Sequence, residues 1–210
     1  MKLVTFELKG EERVGCLAGG VIDLGRAYRL FCRARGQEEL AAIQACFDDM
    51  IAFLGDERAA AVAEEVVNFV FDDSRMLRRV SLDPEDVRLK APVPRPPKAM
   101  ICGPSWSSYV KEGRVPEFIF VLKPPTAVVG PGDDIVIPRK ARQVATEVEL
   151  AVVVGKPGRY IGQEQAGTTS RASPSSTTSP TSPPTGRGRP PRRSGRRATT
   201  HSHPSAHALP

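Results

Sequence analysis

Histidine is missing from the first 200 residues of this 210-residue chain, and cysteine is scarce. The histidines are His201, His203 and His207. The four cysteines are Cys16, Cys32, Cys46 and Cys102. No two cysteines form a CxxC pair and no histidine stands near them, so the spacing excludes the usual zinc-ligand patterns. Isolated cysteines in apolar settings are expected to act as small buried hydrophobic residues.

Long apolar runs are missing as well. No segment approaches the ~20 apolar residues that a membrane span requires. The N-terminus carries Glu7, Glu11 and Glu12, whereas a signal peptide needs an apolar stretch there. These absences predict a soluble protein of the reducing cytoplasm that has no membrane partner.

Acidic and apolar residues disappear together near the end of the chain. From Gln165 onward there are seven arginines and no Asp, Glu or Lys. This segment therefore carries a charge of +7, and because the whole chain has a net charge of +6, residues 1–164 carry −1. Residues 166–210 contain one Leu and no Val, Ile, Phe, Met, Tyr or Trp. Such a segment cannot bury enough apolar area to offset ~1–2 kcal/mol of backbone entropy per residue. We therefore predict a disordered tail over residues 166–210.

The first 75 residues carry the patterns of strands followed by helices. Residues 2–8 alternate with the period of a half-buried strand, and glycine turns separate the short apolar runs that follow. Residues 38–54 then have apolar side chains at helical spacing, and the segment 57–70, rich in Ala and Glu, predicts a second helix. We therefore predict a small N-terminal α+β domain over residues 1–75.

Two changes of composition divide the middle of the chain. Residues 76–97 are a proline-rich connector, in which proline favours extended backbone. Residues 98–165 offer short apolar runs separated by turns, which predict a β-rich domain with little helix. The fold class is therefore predicted to be α+β, with an incomplete β-rich second domain before the tail.

Two glutamates stand at the start of the most apolar of these runs. Glu147 and Glu149 are two residues apart, so in a strand they share a face. Adjacent carboxylates at the mouth of a buried strand repel each other, and burial disfavours their charge. A divalent cation relieves both problems, and oxygen ligands favour magnesium, calcium or manganese. The alternative is a strand end at which both glutamates face water.

The sequence resembles the fumarylacetoacetate hydrolase family over nearly all of residues 1–166, in its 2-hydroxyhepta-2,4-diene-1,7-dioate isomerase-like form. Three blocks occur in the order of the family: KLVTF at 2–6 with RVG at 13–15 and VIDL at 21–24, KPPTAVVGPGDDI at 123–135, and EVELAVVVGK at 147–156. The resemblance implies a small N-terminal domain followed by a β-roll catalytic domain, which forms a homodimer when it is complete.

The same resemblance implies an activity and a cofactor. Members are hydrolases or isomerases of aromatic catabolism that hydrolyse, isomerise or decarboxylate small diketo or oxo acids through a metal-stabilised enolate. The resemblance makes Glu147 and Glu149 two of three carboxylate ligands. The implied cofactor is Mg²⁺, or else Ca²⁺ or Mn²⁺.

One departure from the family concerns its catalytic dyad. The family pattern G-x-N-Y-x-x-H-x-x-E corresponds here to residues 103–112, so Glu112 stands in the position of the catalytic glutamate. Tyr109 stands where the histidine belongs. A tyrosine, whose ordinary pKa lies near ~10, is a poor general base at neutral pH. We therefore expect water activation to be impaired, whereas isomerase or decarboxylase chemistry relies more on the metal.

A second departure concerns the third carboxylate. The family carries it in a following stretch similar to DYVAGFTVFNDV, and no such stretch is visible here. When the codons of residues 167–179 are read from their third base, however, twelve successive triplets can encode that stretch. We therefore expect that one base was lost near the codon of Ala166. The family sequence would be truncated there, and the tail would be a frameshift product.

The competing interpretation of the tail is functional. Residues 186–190, with the sequence GRGRP, resemble the core of an AT-hook, which lays arginines into a narrow minor groove. In this alternative, a catalytically dead body carries a basic arm that binds nucleic acid. Weak, salt-sensitive binding to polyanions is expected on either interpretation.

Overall fold

The computed structural model describes residues 1–103, 119–141 and 144–181. The N-terminal elements are β1 (Leu3–Leu8), β2 (Glu11–Leu17), β3 (Val21–Asp23), α1 (Leu24–Arg35), α2 (Ala41–Cys46), α3 (Met50–Gly55), α4 (Glu57–Phe71), α5 (Ser74–Val80), β4 (Ser81–Leu82) and β5 (Arg88–Leu89). The later elements are β6 (Ala99–Gly103), β7 (Ile119–Lys123), β8 (Ala145–Val154), α6 (Ala166–Thr169) and β9 (Ser170–Thr181). This mixture of helix and sheet confirms the predicted α+β class.

A five-stranded antiparallel sheet, in the order β4-β3-β2-β1-β5, forms the base of the N-terminal unit. Its first strand is buried on both faces, whereas the alternating sequence predicted a half-buried strand. Leu3 belongs to the large core beneath the helices, while Phe6 lies in a second cluster on the opposite face. Leu82, Val87 and Leu89 pack against that second cluster. The difference arises because chain from far along the sequence covers the second face.

The helix α1 was not among the sequence predictions, although its ends carry ordinary signals. The Asp23 carboxylate accepts a hydrogen bond from the backbone N–H of Arg26 at 2.9 Å and so caps the first turn. Gly36 ends the helix in the left-handed conformation, with φ of 62°. The helix buries Ala27, Tyr28, Phe31 and Cys32, among others, in the core.

The segment 38–54, predicted as one helix, forms the two short helices α2 and α3 instead. Asp49 begins the second of them, since its carboxylate accepts from the backbone N–H of Ala52 at 2.8 Å. A capping aspartate at this position starts a second, separate helix. The predicted helix over 57–70 is confirmed as α4.

The N-terminal unit continues beyond residue 75, into the segment predicted as a connector. α5 and β4 follow directly, and β5 pairs with β1 at Phe6 and Glu7. The hydroxyl of Thr5 also donates to the carbonyl oxygen of Pro92 at 2.7 Å. Only the few residues between Pro92 and β6 therefore act as a connection.

Two separate hairpin-like pairs make up the second half. β6 pairs with β7, and β8 pairs with β9, both antiparallel. The sequence predicted a disordered tail from residue 166, but the structure carries helix and strand as far as Thr181. The rest of that predicted tail, residues 182–210, lies outside the described residues. The pairing of β9 with β8 is a backbone feature that the polar composition did not indicate.

The hydrophobic core lies in the N-terminal unit. Every buried apolar residue in the described part of the chain falls between Leu3 and Ala91. The second half instead exposes large apolar side chains, such as Leu122 at 73% and Val154 at 71%. Within the ranges that the structure describes, no helix is long and apolar enough to cross a membrane.

Candidate metal site

The two glutamates singled out by the sequence both lie in β8. Glu147 pairs opposite Ser179, and Glu149 pairs opposite Thr177 on β9. The side chain of Glu149 is half-buried. The structure therefore confirms that both residues belong to one strand, two register positions apart, as the sequence predicted.

After the two glutamates, the end of β8 contacts the N-terminal unit. Val153 packs against the main core, and the ammonium group of Lys156 lies 2.9 Å from the Oε1 atom of Glu57 on α4. Leu150 and Val152 are each 59% exposed. One end of the strand is thus held by the first domain, while much of its apolar surface is open to solvent.

A divalent metal needs more donors than these two residues supply. Ca²⁺ takes six to eight oxygen ligands, and Mg²⁺ needs an octahedral set that includes carboxylates. Across the described ranges, no group of three or more His, Cys, Asp or Glu side chains is placed to hold an ion. The two glutamates therefore fit the chemistry of a hard cation, and the side chains that the structure describes hold no complete metal site.

The catalytic dyad predicted from the sequence lies outside the described residues. Glu112 and Tyr109 both fall in the range 104–118, between β6 and β7. Their assignment, with tyrosine in place of histidine, stays a prediction.

The turn that precedes β8 in the chain docks onto the N-terminal sheet. Gly130 and Asp133 form the turn that the sequence predicted, with the backbone N–H of Asp133 donating to Gly130. A Cβ atom on Gly130 would lie 3.0 Å from the backbone nitrogen of Ala91 and from the Cα atom of Lys90. Glycine is needed here because the two backbones touch.

An ion pair fixes the same turn. Arg88 on β5 donates to the Asp133 carboxylate at 2.6 Å, and the Gly130 backbone N–H donates to the same group at 2.7 Å. The hydrogen bond from Arg88 holds the pKa of Asp133 below its ordinary value. Sequence reasoning missed this pair, because 45 positions separate its members.

A second polar cluster is structural. Asp23 is 1% exposed, and its carboxylate lies 2.9 Å from Nη1 of Arg13 and 3.2 Å from Nε of Arg26. The same carboxylate caps α1, so each of its interactions is explained by the fold.

The cysteines behave as small hydrophobic residues. Cys16, Cys32 and Cys46 are buried, and burial raises the pKa of the Cys16 and Cys46 thiols. Cys102 is half-buried. The expectation of buried, unclustered thiols is confirmed for the first three.

Comparison with solved structures defines the class of fold. The maleylpyruvate hydrolase from Sphingobium sp. SYK-6 is similar with a TM-score of 0.56 and 23% identity, over 86% of this chain and 59% of that chain. The fumarylacetoacetate hydrolase from psychrophilic Exiguobacterium antarcticum gives a TM-score of 0.58 and 23% identity, over 87% and 56%. The described architecture is therefore the fold of fumarylacetoacetate hydrolase proteins.

Comparison of sequences finds a similarity to the same family. Residues 106–169 match the family model described as Fumarylacetoacetate (FAA) hydrolase C-terminal, and the predicted resemblance to this family is confirmed. The mitochondrial oxaloacetate tautomerase FAHD2A of Bos taurus is 43% identical over 79 residues, which are 36% of this chain and 25% of that protein. The chain thus spans about a quarter of the length of such curated relatives.

Two predictions stay open after these comparisons. The loss of the family sequence near Ala166 stays a prediction, although the family match ends at residue 169. The cytoplasmic location also stays a prediction, since the relative from Bos taurus is named as mitochondrial.

Proposed function

We propose that this chain is a metal-dependent enzyme of the fumarylacetoacetate hydrolase type whose activity is lost or strongly impaired. Its substrates would be small diketo or oxo acids, and its reaction C–C bond hydrolysis, isomerisation or decarboxylation. The observation that carries the proposal is the position of Glu147 and Glu149, two residues apart on β8, inside the range that matches the family.

The names of similar proteins support the substrate class and the cofactor. One structure of maleylpyruvate hydrolase is a complex with manganese(II) ion and pyruvate. The relative in Bos taurus is an oxaloacetate tautomerase. Both names refer to small oxo acids, and manganese belongs with magnesium and calcium among the cations that carboxylates hold.

Two features support impairment. The described side chains form no group of three or more metal-ligating residues. Tyr109 replaces the histidine of the family pattern, and a phenol is a weak base at neutral pH. We also propose that the body would dimerise if the catalytic domain were complete.

Metal binding tests the proposal directly. We expect Mn²⁺ to bind the 210-residue chain weakly, with a dissociation constant on the order of 1 mM, because only two carboxylates contribute. Electron paramagnetic resonance of free Mn²⁺ during a titration measures that binding without any assay of turnover. The double variant Glu147→Gln, Glu149→Gln should abolish it.

The matched control is Glu64→Gln, Glu65→Gln, which removes two exposed carboxylates from α4 and leaves β8 unchanged. This control should bind Mn²⁺ as the unaltered chain does. Unchanged Mn²⁺ binding in the β8 double variant would remove the assignment. Chelator-sensitive turnover of an acylpyruvate by the unaltered chain would contradict the proposed impairment.

Nucleic-acid binding by the tail has no support from the described residues, because the arginines from 187 to 197 lie outside them. It stays a prediction from the sequence.

A further inference from the structure

The positive charge of the N-terminal unit is gathered on two helices. α1 and α5 together contain seven arginines and no Asp, Glu or Lys. The remaining residues between 1 and 103 carry eight Lys or Arg against 17 Asp or Glu, a charge of −9. The whole range is therefore nearly neutral, at −2, and the separation of its charges is the unusual feature.

The two helices contact each other and share one core. Phe31 of α1 and Val80 of α5 belong to the main core. Leu30, Met76 and Leu77 are partly buried and pack against it. The large apolar side chains of both helices are thus directed into the fold, and the outer surface is left to other residues.

That outer surface consists almost entirely of arginine. Eight residues of the two helices are exposed, of which two are Ala34 and Ser74. Arg26 is partly buried, and its Nε atom lies 3.2 Å from the Asp23 carboxylate. The six exposed arginines form the arginine face, which comprises Arg29, Arg33, Arg35, Arg75, Arg78 and Arg79.

The arginine face is free of internal ion pairs. In the described part of the chain, the arginines that form ion pairs are Arg13, Arg26, Arg58, Arg88 and Arg95. The exposed guanidinium groups on α1 and α5 therefore keep their hydrogen-bond donors available for an external anion.

Carboxylates next to the face have other bonds to make. Asp23 caps α1, and Asp73 caps α5 by accepting from the backbone N–H of Arg75 at 2.7 Å. The guanidinium of Arg35 stacks over the ring of Phe31 at 4.9 Å, an arrangement that leaves its N–H groups directed outward in the plane of the guanidinium.

The spacing of the arginines suits a row of phosphates. Arg29 and Arg33 are one turn apart on α1, as are Arg75 and Arg79 on α5, so each pair is separated by about 6 Å along its helix. Phosphates recur about every 3.4 Å along each strand of a duplex. Each pair thus spans about two phosphate intervals, and a guanidinium donates two parallel hydrogen bonds to a phosphate.

The composition of the face also separates the possible partners. A protein interface normally has an apolar or aromatic centre, and a helix that binds a membrane surface inserts apolar side chains. The exposed residues of α1 and α5 supply neither. Binding through charge alone fits the phosphate backbone of a duplex, which carries one charge per about 1.7 Å.

We propose that the arginine face binds the phosphate backbone of double-stranded nucleic acid without recognising the base sequence. This surface is separate from the Arg-rich tail, because it lies on two folded helices of the N-terminal unit. It is also independent of the proposed metal-dependent activity. Its affinity falls steeply as salt rises, since the arginines displace counterions from the duplex.

Fluorescence anisotropy of a labelled DNA duplex of mixed sequence, titrated with the 210-residue chain at about 50 mM salt, tests the proposal. The face variant is Arg29→Gln, Arg33→Gln, Arg78→Gln, Arg79→Gln. It should bind about tenfold more weakly or worse. The slope of log K against log salt should become smaller by about 3 to 4, because each lost phosphate contact contributes about 0.9.

The matched control changes the charge equally in the tail, with Arg187→Gln, Arg189→Gln, Arg192→Gln, Arg193→Gln. The control should bind the duplex within about threefold of the unaltered chain. Equal losses in the two variants would show that binding follows net charge and would overturn the proposal. A loss confined to the tail variant, or no binding by the unaltered chain, would overturn it as well.

A lysine variant separates lost charge from a damaged fold. Arg29→Lys, Arg33→Lys, Arg78→Lys, Arg79→Lys should keep the salt slope, and circular dichroism melting shows whether each variant is folded. Should the glutamine variant not fold, its α1 pair and its α5 pair are measured separately, and each should weaken binding by about threefold. Vesicles of phosphatidylserine and phosphatidylcholine that bind the chain more tightly than the duplex does would identify a membrane partner and overturn the proposal.

Discussion

At the scale of single residues, Asp23 stabilises the N-terminal unit. We expect Asp23→Ala to lower the free energy of unfolding by about 3 kcal/mol, because it removes a helix cap and leaves Arg13 and Arg26 without their buried partner. Urea denaturation followed by far-UV circular dichroism measures the loss.

The control is Asp73→Ala, which removes the exposed cap of α5, where the carboxylate accepts from the backbone N–H of Arg75 at 2.7 Å. Its cost should be about 1 kcal/mol. Equal losses in the two variants would show that the ion pairs of Asp23 contribute nothing.

The carboxyl group of Asp56, which caps α4, should titrate at an unusually low pH. Its side-chain hydrogen bond with Arg58 lowers its pKa to about 2, below the ordinary value of about 3.9. A lowered pKa in the folded state stabilises the fold above the unfolded pKa, and this contribution is lost as the pH falls from about 4 through 2. Carboxyl ¹³C shifts across that range should give a midpoint near 2, and Arg58→Ala should move it toward the ordinary value.

Some of these residue positions could be predicted from the sequence, and others could not. Glu147 and Glu149 could be placed on one strand because alternation is a local property. The Arg88–Asp133 pair could not be predicted, because only the tertiary fold brings residues 45 positions apart together.

At the scale of elements, α1 carries helix signals in its own sequence. Asp23 before the helix, apolar residues at Leu24, Ala27, Tyr28 and Phe31, and Gly36 after it are ordinary helix signals. The burial of both faces of β1 and the pairing of β9 depend on partners distant in the chain, so no local pattern predicts them.

The Gly130 turn provides an element-scale prediction. Gly130→Ala should weaken the docking of this turn by about 1–3 kcal/mol, since the new methyl group meets the backbone of Lys90 and Ala91. Amide hydrogen exchange at Asp133, whose N–H donates to Gly130, should become faster.

Gly55→Ala is the matched control, because a Cβ atom there meets nothing within 4 Å. It should leave exchange at Asp133 unchanged. Similar exchange in the two variants would show that the close approach of Gly130 is unimportant.

At the scale of the whole molecule, stability is concentrated in one half. Because every buried apolar residue of the described part lies between Leu3 and Ala91, limited proteolysis should leave a fragment that ends near residue 95. Arg95 forms an ion pair with Glu12 of the N-terminal sheet and lies shortly before β6 in the chain. Mass spectrometry of the digest identifies the fragment, and residues 166–210 should be cleaved first.

A digest in which both halves disappear at the same rate would contradict this division. Protection of the tail from amide exchange, together with a single melting transition, would contradict the frameshift interpretation as well.

The hairpin of β6 and β7 exposes Ile119, Phe120 and Leu122 at 63%, 61% and 73%. Inside a cell, chaperones and proteases recognise unburied apolar chain and remove the molecules that carry it. The lifetime of this polypeptide would then depend on how quickly quality control captures the hairpin. Its cellular abundance, rather than any rate constant of a reaction, becomes the quantity on which selection acts.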